Sequence, residues 1–251
     1  MNTLTIDIGN SGTKADFWSD SGFLLREYWK EISMEVILDS IDRYNVKGVI
    51  FSSVKENTDE IICQLKKQTS SEVVDFNNEE IHKFYDLSYY KGNVGPDRVA
   101  AVLGANALYP ECPKLVIDMG TAITLDLADY KGCFCGGNIS LGLFSRLKAL
   151  YTSTKKLPLI ENIQYNKPFG DDTVSAMEAG AINGVVGEIL YTYEIAKTEY
   201  DIKKVVFTGG DSRMINPDII RKINGHVDSC LVGRGLDYHL RTYYLNKREC
   251  R

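Results

Sequence analysis

The chain has 251 residues, of which 44% are hydrophobic and 25% charged, and its formal charge at pH 7 is −5. This composition is typical of a globular protein with one large domain or two smaller ones. Because a mildly acidic protein exerts no long-range attraction on phosphate backbones, the charge argues against nucleic-acid binding. No stretch approaches the ~18 apolar residues of a membrane span, and no cationic segment precedes the first predicted strand, so we expect neither membrane association nor a signal peptide.

The cysteines favour a protein of a reducing compartment. The six cysteines lie at positions 63, 112, 133, 135, 230 and 250, and no two of them form a C-x-x-C pair. We therefore interpret them as reduced structural thiols of a cytoplasmic protein, with a zinc site or a disulfide framework as the alternatives.

The N-terminal half begins with short β-rich segments that are separated by Gly- or Ser-containing turns. Helical spacing of apolar residues then alternates with buried-looking runs, which is the pattern of an α/β fold. The predicted elements are strands at Leu4–Ile8, Lys14–Trp18 and Phe23–Trp29, a helix at Met34–Arg43, a strand at Gly48–Val54, a helix at Asp59–Lys67 and a strand at Glu72–Phe76.

The second half repeats this beginning. Leu4–Thr13 aligns without a gap on Leu115–Thr124, and the alignment places Asp7 opposite Asp118. A strand that ends in Asp-x-Gly at the head of each half indicates a duplication. The prolines at positions 110 and 113 mark the boundary between the two halves, so we predict domains of residues 1–113 and 114–251. Later elements are a hairpin-like region at Leu125–Ile139, helices, a strand at Lys203–Thr208 and a further helical region.

A long helical pattern from Asp172 to Glu199 carries small residues at spacings of four and three, namely Ala176, Gly180, Gly184 and Gly187. Each glycine costs a helix interior up to ~1 kcal/mol, so close packing has to compensate for it. The sequence leaves open whether this face packs in the domain core or at a subunit interface.

The first motif with chemical content is D-I-G-N-S-G-T-K at Asp7–Lys14. Glycines let backbone N–H groups approach a phosphate, and Asn10, Ser11 and Thr13 add side-chain donors. Because a carboxylate repels phosphate unless a cation intervenes, Asp7 is a candidate for contact with Mg²⁺, directly or through its water. An ordinary β-turn is the structural alternative, and the Gly-Lys-Ser/Thr of a Walker A loop is absent.

The second motif, Asp118–Thr124, repeats the first in the other half of the chain. Two such turns that face each other would hold one triphosphate from both sides. The carboxylate of Asp118 also provides an oxygen ligand for a further cation.

The third motif is Gly95-Pro96-Asp97-Arg98, ahead of an apolar run. Proline at a first helical position and an acidic residue in the first turn are typical of a helix start. The adjacent charged side chains also offer a general base and a fork that binds a carboxylate.

Two weaker motifs complete the set. G-G-N-I-S-L-G at residues 136–142 leads into a helical segment, and Thr208-Gly209-Gly210-Asp211 follows an apolar strand. Glycines after the strand would let an adenine or a ribose lie on the backbone.

Together, the five motifs resemble type III pantothenate kinases, members of the superfamily of actin, sugar kinases and Hsp70. The resemblance extends from Asp7 to Gly210. It implies an α/β fold of two duplicated ribonuclease H-like domains with ATP between them, and a homodimer whose interface helps to complete the pantothenate site. Two departures are Leu141, where the family usually has proline, and a segment before Gly95 that is about two residues short.

The resemblance implies that Asp97 is the general base and that Asp118 holds a monovalent cation, K⁺ or NH₄⁺. It implies a substrate site that includes Thr173 and a tyrosine, for which Tyr90 is the first choice and Tyr89 the alternative. The implied ATP contacts are Asp7, Ile8, Gly9, Asn10, Ser11, Gly12, Thr13, Lys14 and Thr121. The implied pantothenate contacts are Tyr90, Gly95, Pro96, Asp97, Arg98 and Thr173.

The sequence therefore predicts a kinase that uses ATP and Mg²⁺ to phosphorylate pantothenate, the first step of coenzyme A biosynthesis. One alternative is a related kinase of another small alcohol, against which the presence of Asp97 and Arg98 argues. Another is a transcriptional accessory protein without turnover, against which the retention of Asp7, Asp97 and Asp118 argues.

Overall fold

The computed structural model describes residues 1–9, 12–54, 58–77, 85, 94–164 and 167–245. Contacts group the chain into two compact units. The first unit comprises Met1–Glu111, Gly132–Phe134 and the segment that starts at Cys230, and the second comprises Cys112–Lys131 and Cys135–Ser229. The domains predicted from the sequence are residues 1–113 and 114–251. In the structure, the C-terminal segment that starts at Cys230 groups with the N-terminal residues.

The first unit is built on a mixed sheet with the strand order β3-β2-β1-β4-β5. The first three strands form an antiparallel meander, and β4 and β5 continue the sheet parallel to β1. The predicted opening hairpins are therefore present. The strands are β1 (Asn2–Gly9), β2 (Gly12–Ser19), β3 (Gly22–Trp29), β4 (Val46–Ser53) and β5 (Glu72–Asp75).

Two amphipathic helices, α1 (Met34–Arg43) and α2 (Asp59–Gln68), pack on one face of this sheet. The Ser33 hydroxyl accepts a hydrogen bond from the backbone N–H of Val36 at 3.3 Å, which caps the start of α1. The core between helices and sheet includes Leu4, Ile6, Ile8, Ile37, Ile41, Ile62 and Leu65. Since side chains alternate along a strand, Thr3, Thr5 and Asp7 project from the opposite face.

That opposite face is covered by α3 (Pro96–Leu108) and α7 (Leu231–Leu240). The two helices approach so closely that a Cβ on Gly235 would lie 1.8 Å from Ala100 O, and one on Gly104 would lie 2.1 Å from Leu231 O. Asp237 of α7 accepts a hydrogen bond from the Thr3 hydroxyl on β1. The helix pair therefore holds α3 against the central strands of the sheet.

The second unit is built on a second mixed sheet, with the strand order β10-β9-β6-β7-β8. β6 pairs antiparallel with β7 and parallel with β9, as β1 pairs with β2 and β4. The shared topology confirms the duplication that the sequence predicts. The strands are β6 (Lys114–Met119), β7 (Ala122–Ala128), β8 (Phe134–Leu141), β9 (Lys204–Thr208) and β10 (Gly225–Val227).

The helices of the second unit are α4 (Leu143–Ser153), α5 (Thr173–Tyr200) and α6 (Pro217–Lys222), with a 3₁₀ turn at Gly210–Met214. Asp172 and Ser175 form a capping box at the start of α5. Ile182, Val185 and Ile189 of α5 pack in the core of this unit. On the glycine-containing face of α5, a Cβ on Gly180 or Gly187 would meet no heavy atom within 4 Å outside the helix backbone.

The described residues contain no helix that combines the length and the apolar character needed to cross a bilayer. None of the described cysteines, Cys63, Cys112, Cys133, Cys135 and Cys230, forms a disulfide.

We expect Gly235→Ala to lower the free energy of unfolding by about 3 kcal/mol or to prevent folding, because its methyl group would overlap Ala100 O. Urea denaturation measures the change. The control is Gly187→Ala, which has open space around the new methyl group and should stabilise α5 by up to ~1 kcal/mol. Equal denaturation midpoints of the two variants would contradict the contact between α3 and α7.

Candidate active site

The first of the predicted carboxylates lies near the end of β1. Asp7 is paired with Lys14 on the antiparallel strand β2 and with Ser52 on the parallel strand β4. Lys14 Nζ lies 3.9 Å from Asp7 Oδ2, and the Asp7 side chain is 15% exposed. Asp7 therefore lies at the carboxyl ends of two parallel strands, which is the edge at which open α/β sheets bind ligands.

Burial raises the pKa of the Asp7 carboxyl to about 6, because the charged form loses most of its hydration. The Lys14 ammonium acts in the opposite direction, whereas the negative charges of Asp97 and Asp16 raise the pKa further. A cation bound beside Asp7 would favour its ionised form. The electrostatics of this position therefore suit a metal ion that arrives with a phosphate ligand.

Asp97 lies in the first turn of α3, where the sequence places it. The backbone N–H of Arg98 donates a hydrogen bond of 2.9 Å to Asp97 Oδ1. A Cβ on Gly95 would lie only 2.6 Å from the same oxygen, so glycine leaves room for the carboxylate. The predicted helix start is confirmed, and Asp97 is also near enough to Asp7 to affect its charge.

Arg98 is buried, with 6% of its surface exposed, and its guanidinium carbon lies 5.4 Å from the centre of the Phe134 ring. A guanidinium carries its N–H donors in a planar fork that matches the geometry of a carboxylate. This geometry is compatible with the predicted carboxylate-binding role, which stays a prediction.

The second carboxylate, Asp118, lies in the second unit near the end of β6. Its neighbours in the sheet are Thr124 on β7 and Thr208 on β9. Gly209, with φ of 86°, packs directly against it, since a Cβ there would lie 2.5 Å from Asp118 Oδ1 and 2.3 Å from Met119 O. The Thr-Gly-Gly motif therefore contacts the second Asp-x-Gly turn.

The Gly-Gly-x-Ile motif supports the same turn from another side. The backbone N–H of Gly142 and the hydroxyl of Ser145 both donate to Thr121 O, at 2.9 and 2.7 Å. A Cβ on Gly142 would lie 2.0 Å from Gly120 O, so this close approach requires glycine. Leu141, at the position where the family usually has proline, is 53% exposed.

Thr173 is the first residue of α5 and lines a mostly apolar pocket of about 400 Å³ within the second unit. The other lining residues are Leu150, Leu157, Ala176, Met177, Gly180 and Ala181. A pocket of this volume suits a small organic molecule, and the threonine hydroxyl supplies a polar group at its wall.

The structure thus brings Asp7, Lys14 and Asp97 together in the first unit. In the second unit it brings Asp118 into contact with the loop at Gly209, and it places Thr173 at a pocket. Four of the residues considered for the site lie outside the described residues: Asn10, Ser11, Tyr89 and Tyr90. Ser145 is not among the residues predicted from the sequence, although a hydroxyl in the first turn of the helix after the glycine motif is a usable signal.

Within the described residues, no group of three or more His, Cys, Asp or Glu side chains could hold a metal ion. Mg²⁺ does not require such a cage, because it usually binds one or two carboxylates together with phosphates and water. The Asp7 carboxylate, which is largely but not fully buried, fits that mode of binding.

Solved structures with similar folds include a conserved putative Baf family transcriptional activator from Campylobacter jejuni. It has a TM-score of 0.62, 22% identity and coverage of 98% of this chain and 99% of its own. A putative N-acetylmannosamine kinase from Listeria monocytogenes has a TM-score of 0.55, 15% identity and coverage of 99% and 100%. At these identities the likeness establishes the fold, which is that of actin-like ATPases and sugar kinases, as predicted.

The sequence comparisons are more specific. The family model described as type III pantothenate kinase matches residues 3–194. A protein from Porphyromonas gingivalis named type III pantothenate kinase is 32% identical over 242 residues, which are 94% of this chain and 98% of that protein. With the motifs, the fold and both matches in agreement, the chain belongs to the type III pantothenate kinase family.

Proposed function

We propose that the protein transfers the γ-phosphate of ATP to the primary hydroxyl of pantothenate, which yields ADP and 4′-phosphopantothenate in the first step of coenzyme A biosynthesis. The observation that carries the proposal is a set of two carboxylates in the first unit, Asp7 near the end of β1 and Asp97 in the first turn of α3, close enough for one charge to act on the other. A kinase of an alcohol needs one acidic group for the metal-bound phosphates and one for the proton of the alcohol.

Asp97 is the general base. The hydroxyl oxygen of the substrate forms a bond to the γ-phosphorus, the bond from that phosphorus to the β,γ-bridging oxygen breaks, and ADP leaves with the bonding electrons. The hydroxyl proton passes to the Asp97 carboxylate. The hydrogen bond from the Arg98 N–H to Asp97 Oδ1 fixes the carboxylate and leaves its second oxygen to accept this proton.

The two Asp-x-Gly turns bind the nucleotide. The proposed ATP contacts are Thr121 and all residues from Asp7 to Lys14, including Asn10 and Ser11. Mg²⁺, when bound, neutralises the charge on the β- and γ-phosphates, and Asp7 would hold it directly or through a water molecule. Asp118 would hold K⁺ or NH₄⁺ beside the second turn.

Pantothenate carries a carboxylate, an amide and two hydroxyls, and the proposed contacts match these groups. Arg98 is the proposed contact for the carboxylate, and Gly95, Pro96, Tyr90 and Thr173 are the other proposed contacts. Support for Thr173 comes from the pocket that it lines. We further propose that the protein acts in the cytoplasm as a homodimer.

We expect Asp97→Asn to reduce pantothenate-dependent ADP release by 10²- to 10⁴-fold, because the amide cannot take the proton. A coupled ADP-release assay with ATP, Mg²⁺ and pantothenate measures the rate. The assay is run in K⁺ and again with Na⁺ as the only monovalent cation, and activity should be lost in Na⁺. The control is Asp59→Asn, which changes another acidic residue in the first turn of a helix.

A folded wild-type protein that binds ATP but releases no ADP with pantothenate in K⁺ would overturn the proposed function. Release with a different small alcohol would identify a related kinase. No release with any alcohol would favour a regulatory protein without turnover.

The raised pKa of Asp7 predicts a pH-dependent stability effect. Between pH 4 and 6 the unfolded chain releases the Asp7 proton before the folded protein does, so ionisation of Asp7 makes folding less favourable as the pH rises. We expect Asp7→Asn to stabilise the ligand-free protein by about 2 kcal/mol above pH 6 and by little at pH 4. Urea unfolding at several pH values tests this, and a difference independent of pH would contradict it.

Gly209→Ala should weaken activation by K⁺, because the new methyl group would displace Asp118 Oδ1. We expect the K⁺ concentration for half-maximal activity to rise at least tenfold. Gly132→Ala is the matched control, since Gly132 has a similar φ of 82° but meets the side chain of Asn106. A K⁺ response of the Gly209 variant equal to that of the control would show that backbone strain alone is responsible.

A further inference from the structure

Ser52 is a buried residue at the proposed nucleotide site to which the function above gives no role. It is the next-to-last residue of β4 and only 1% exposed. Its hydroxyl forms no hydrogen bond with any residue that the structure describes. Since buried hydroxyls nearly always have a partner, an orphaned one beside a binding site indicates a partner that is absent or that moves.

The sheet places this hydroxyl beside Asp7. β1 and β4 are parallel, and Asp7 and Ser52 are partners in their register. Paired residues on neighbouring strands project from the same face, with Cβ atoms about 5 Å apart. On the other side of Asp7, Lys14 is the register partner from β2. Asp7 therefore lies between a cationic side chain and a hydroxyl donor, in one row across three strands.

The second sheet contains the same arrangement at the corresponding position. Asp118 on β6 is the register partner of Thr208 on the parallel strand β9, and Thr208 is 2% exposed. β6 and β9 correspond to β1 and β4 in the repeated topology. A buried hydroxyl beside the motif carboxylate is therefore a feature of both halves of the duplication.

We propose that Ser52 is a positioning residue for Asp7: with the magnesium complex of ATP bound, the Ser52 hydroxyl would donate a hydrogen bond to the Asp7 carboxylate. The inference rests on the proposed role of Asp7 at the nucleotide site. A hydroxyl rotates about one bond, so it can reach the carboxylate without a change in the backbone. Outer-shell hydrogen bonds of this kind orient metal-binding carboxylates and strengthen metal binding.

Ser52→Ala tests the proposal through nucleotide binding rather than turnover. Isothermal titration calorimetry measures the affinity for ATP in the presence of Mg²⁺ and again in EDTA, which removes the metal. We expect the variant to bind ATP about tenfold more weakly with Mg²⁺ and with unchanged affinity in EDTA. A mere packing defect would change both affinities together. Ser52→Thr, which keeps the hydroxyl on a residue suited to a strand, should restore the affinity measured with Mg²⁺.

The control variant is Ser53→Ala, which removes a hydroxyl from the same strand end but from the opposite face of the sheet. Its ATP affinity should stay within twofold of wild type. In the Asp7→Asn background, Ser52→Ala should have no further effect, because the group it positions is gone.

The outcomes separate the inference from the function on which it rests. If wild-type protein binds ATP in a magnesium-dependent way and Asp7→Asn abolishes this dependence, but Ser52→Ala binds like wild type, the role of Ser52 is overturned and the kinase assignment stands. An effect of Ser52→Ala that persists undiminished in the Asp7→Asn background also overturns it. Wild-type protein that shows no magnesium-dependent binding of ATP overturns the proposed nucleotide site itself.

Discussion

The first half of the site depends on the contact between the backbones of α3 and α7. Gly235 and Gly104 bring these helices so close that neither position has room for a side chain. α7 also packs on β1 and β4, and its Asp237 accepts a hydrogen bond from the Thr3 hydroxyl. Because α3 is fixed by α7 and α7 by the sheet, helix packing holds the first turn of α3 in place. The position of Asp97 relative to Asp7 is therefore a consequence of helix packing.

In the absence of ligands, the ionised Asp7 carboxylate is electrostatically unfavourable where it lies. Burial of Asp7 and the nearby charge of Asp97 both oppose its ionisation, and Lys14 offsets them only in part. A protein selected for stability alone would place a neutral residue at this strand end. A carboxylate that is costly when the site is empty gains most when a cation binds, so under the proposed function the charges that weaken the fold would strengthen magnesium-dependent binding of ATP.

Much of this arrangement could be predicted from the sequence because it is encoded locally. The α1 bounds, Met34–Arg43, follow from a serine cap and apolar spacing, and the duplication follows from the repeated strand and Asp-x-Gly turn. Contacts between distant segments could not be predicted in this way. Nothing near Gly235 indicates that it will meet Ala100, and Ser52 is notable only once the register places it beside Asp7. β10, at Gly225–Val227, is too short to give a pattern of alternation.

The register also gives a physical reason for the proposal that the two copies of the turn hold different cations. Each motif carboxylate has a hydroxyl residue on its parallel neighbour, Ser52 for Asp7 and Thr208 for Asp118. On the antiparallel side the copies differ, since Asp7 faces Lys14 whereas Asp118 faces the neutral Thr124. The Lys14 ammonium already supplies one positive charge beside Asp7, so under the proposed function any further cation there would come with the phosphates of the nucleotide. The register partners of Asp118, Thr124 and Thr208, carry no charge. Under the proposed function, a monovalent cation from solution would supply the positive charge that Lys14 supplies beside Asp7.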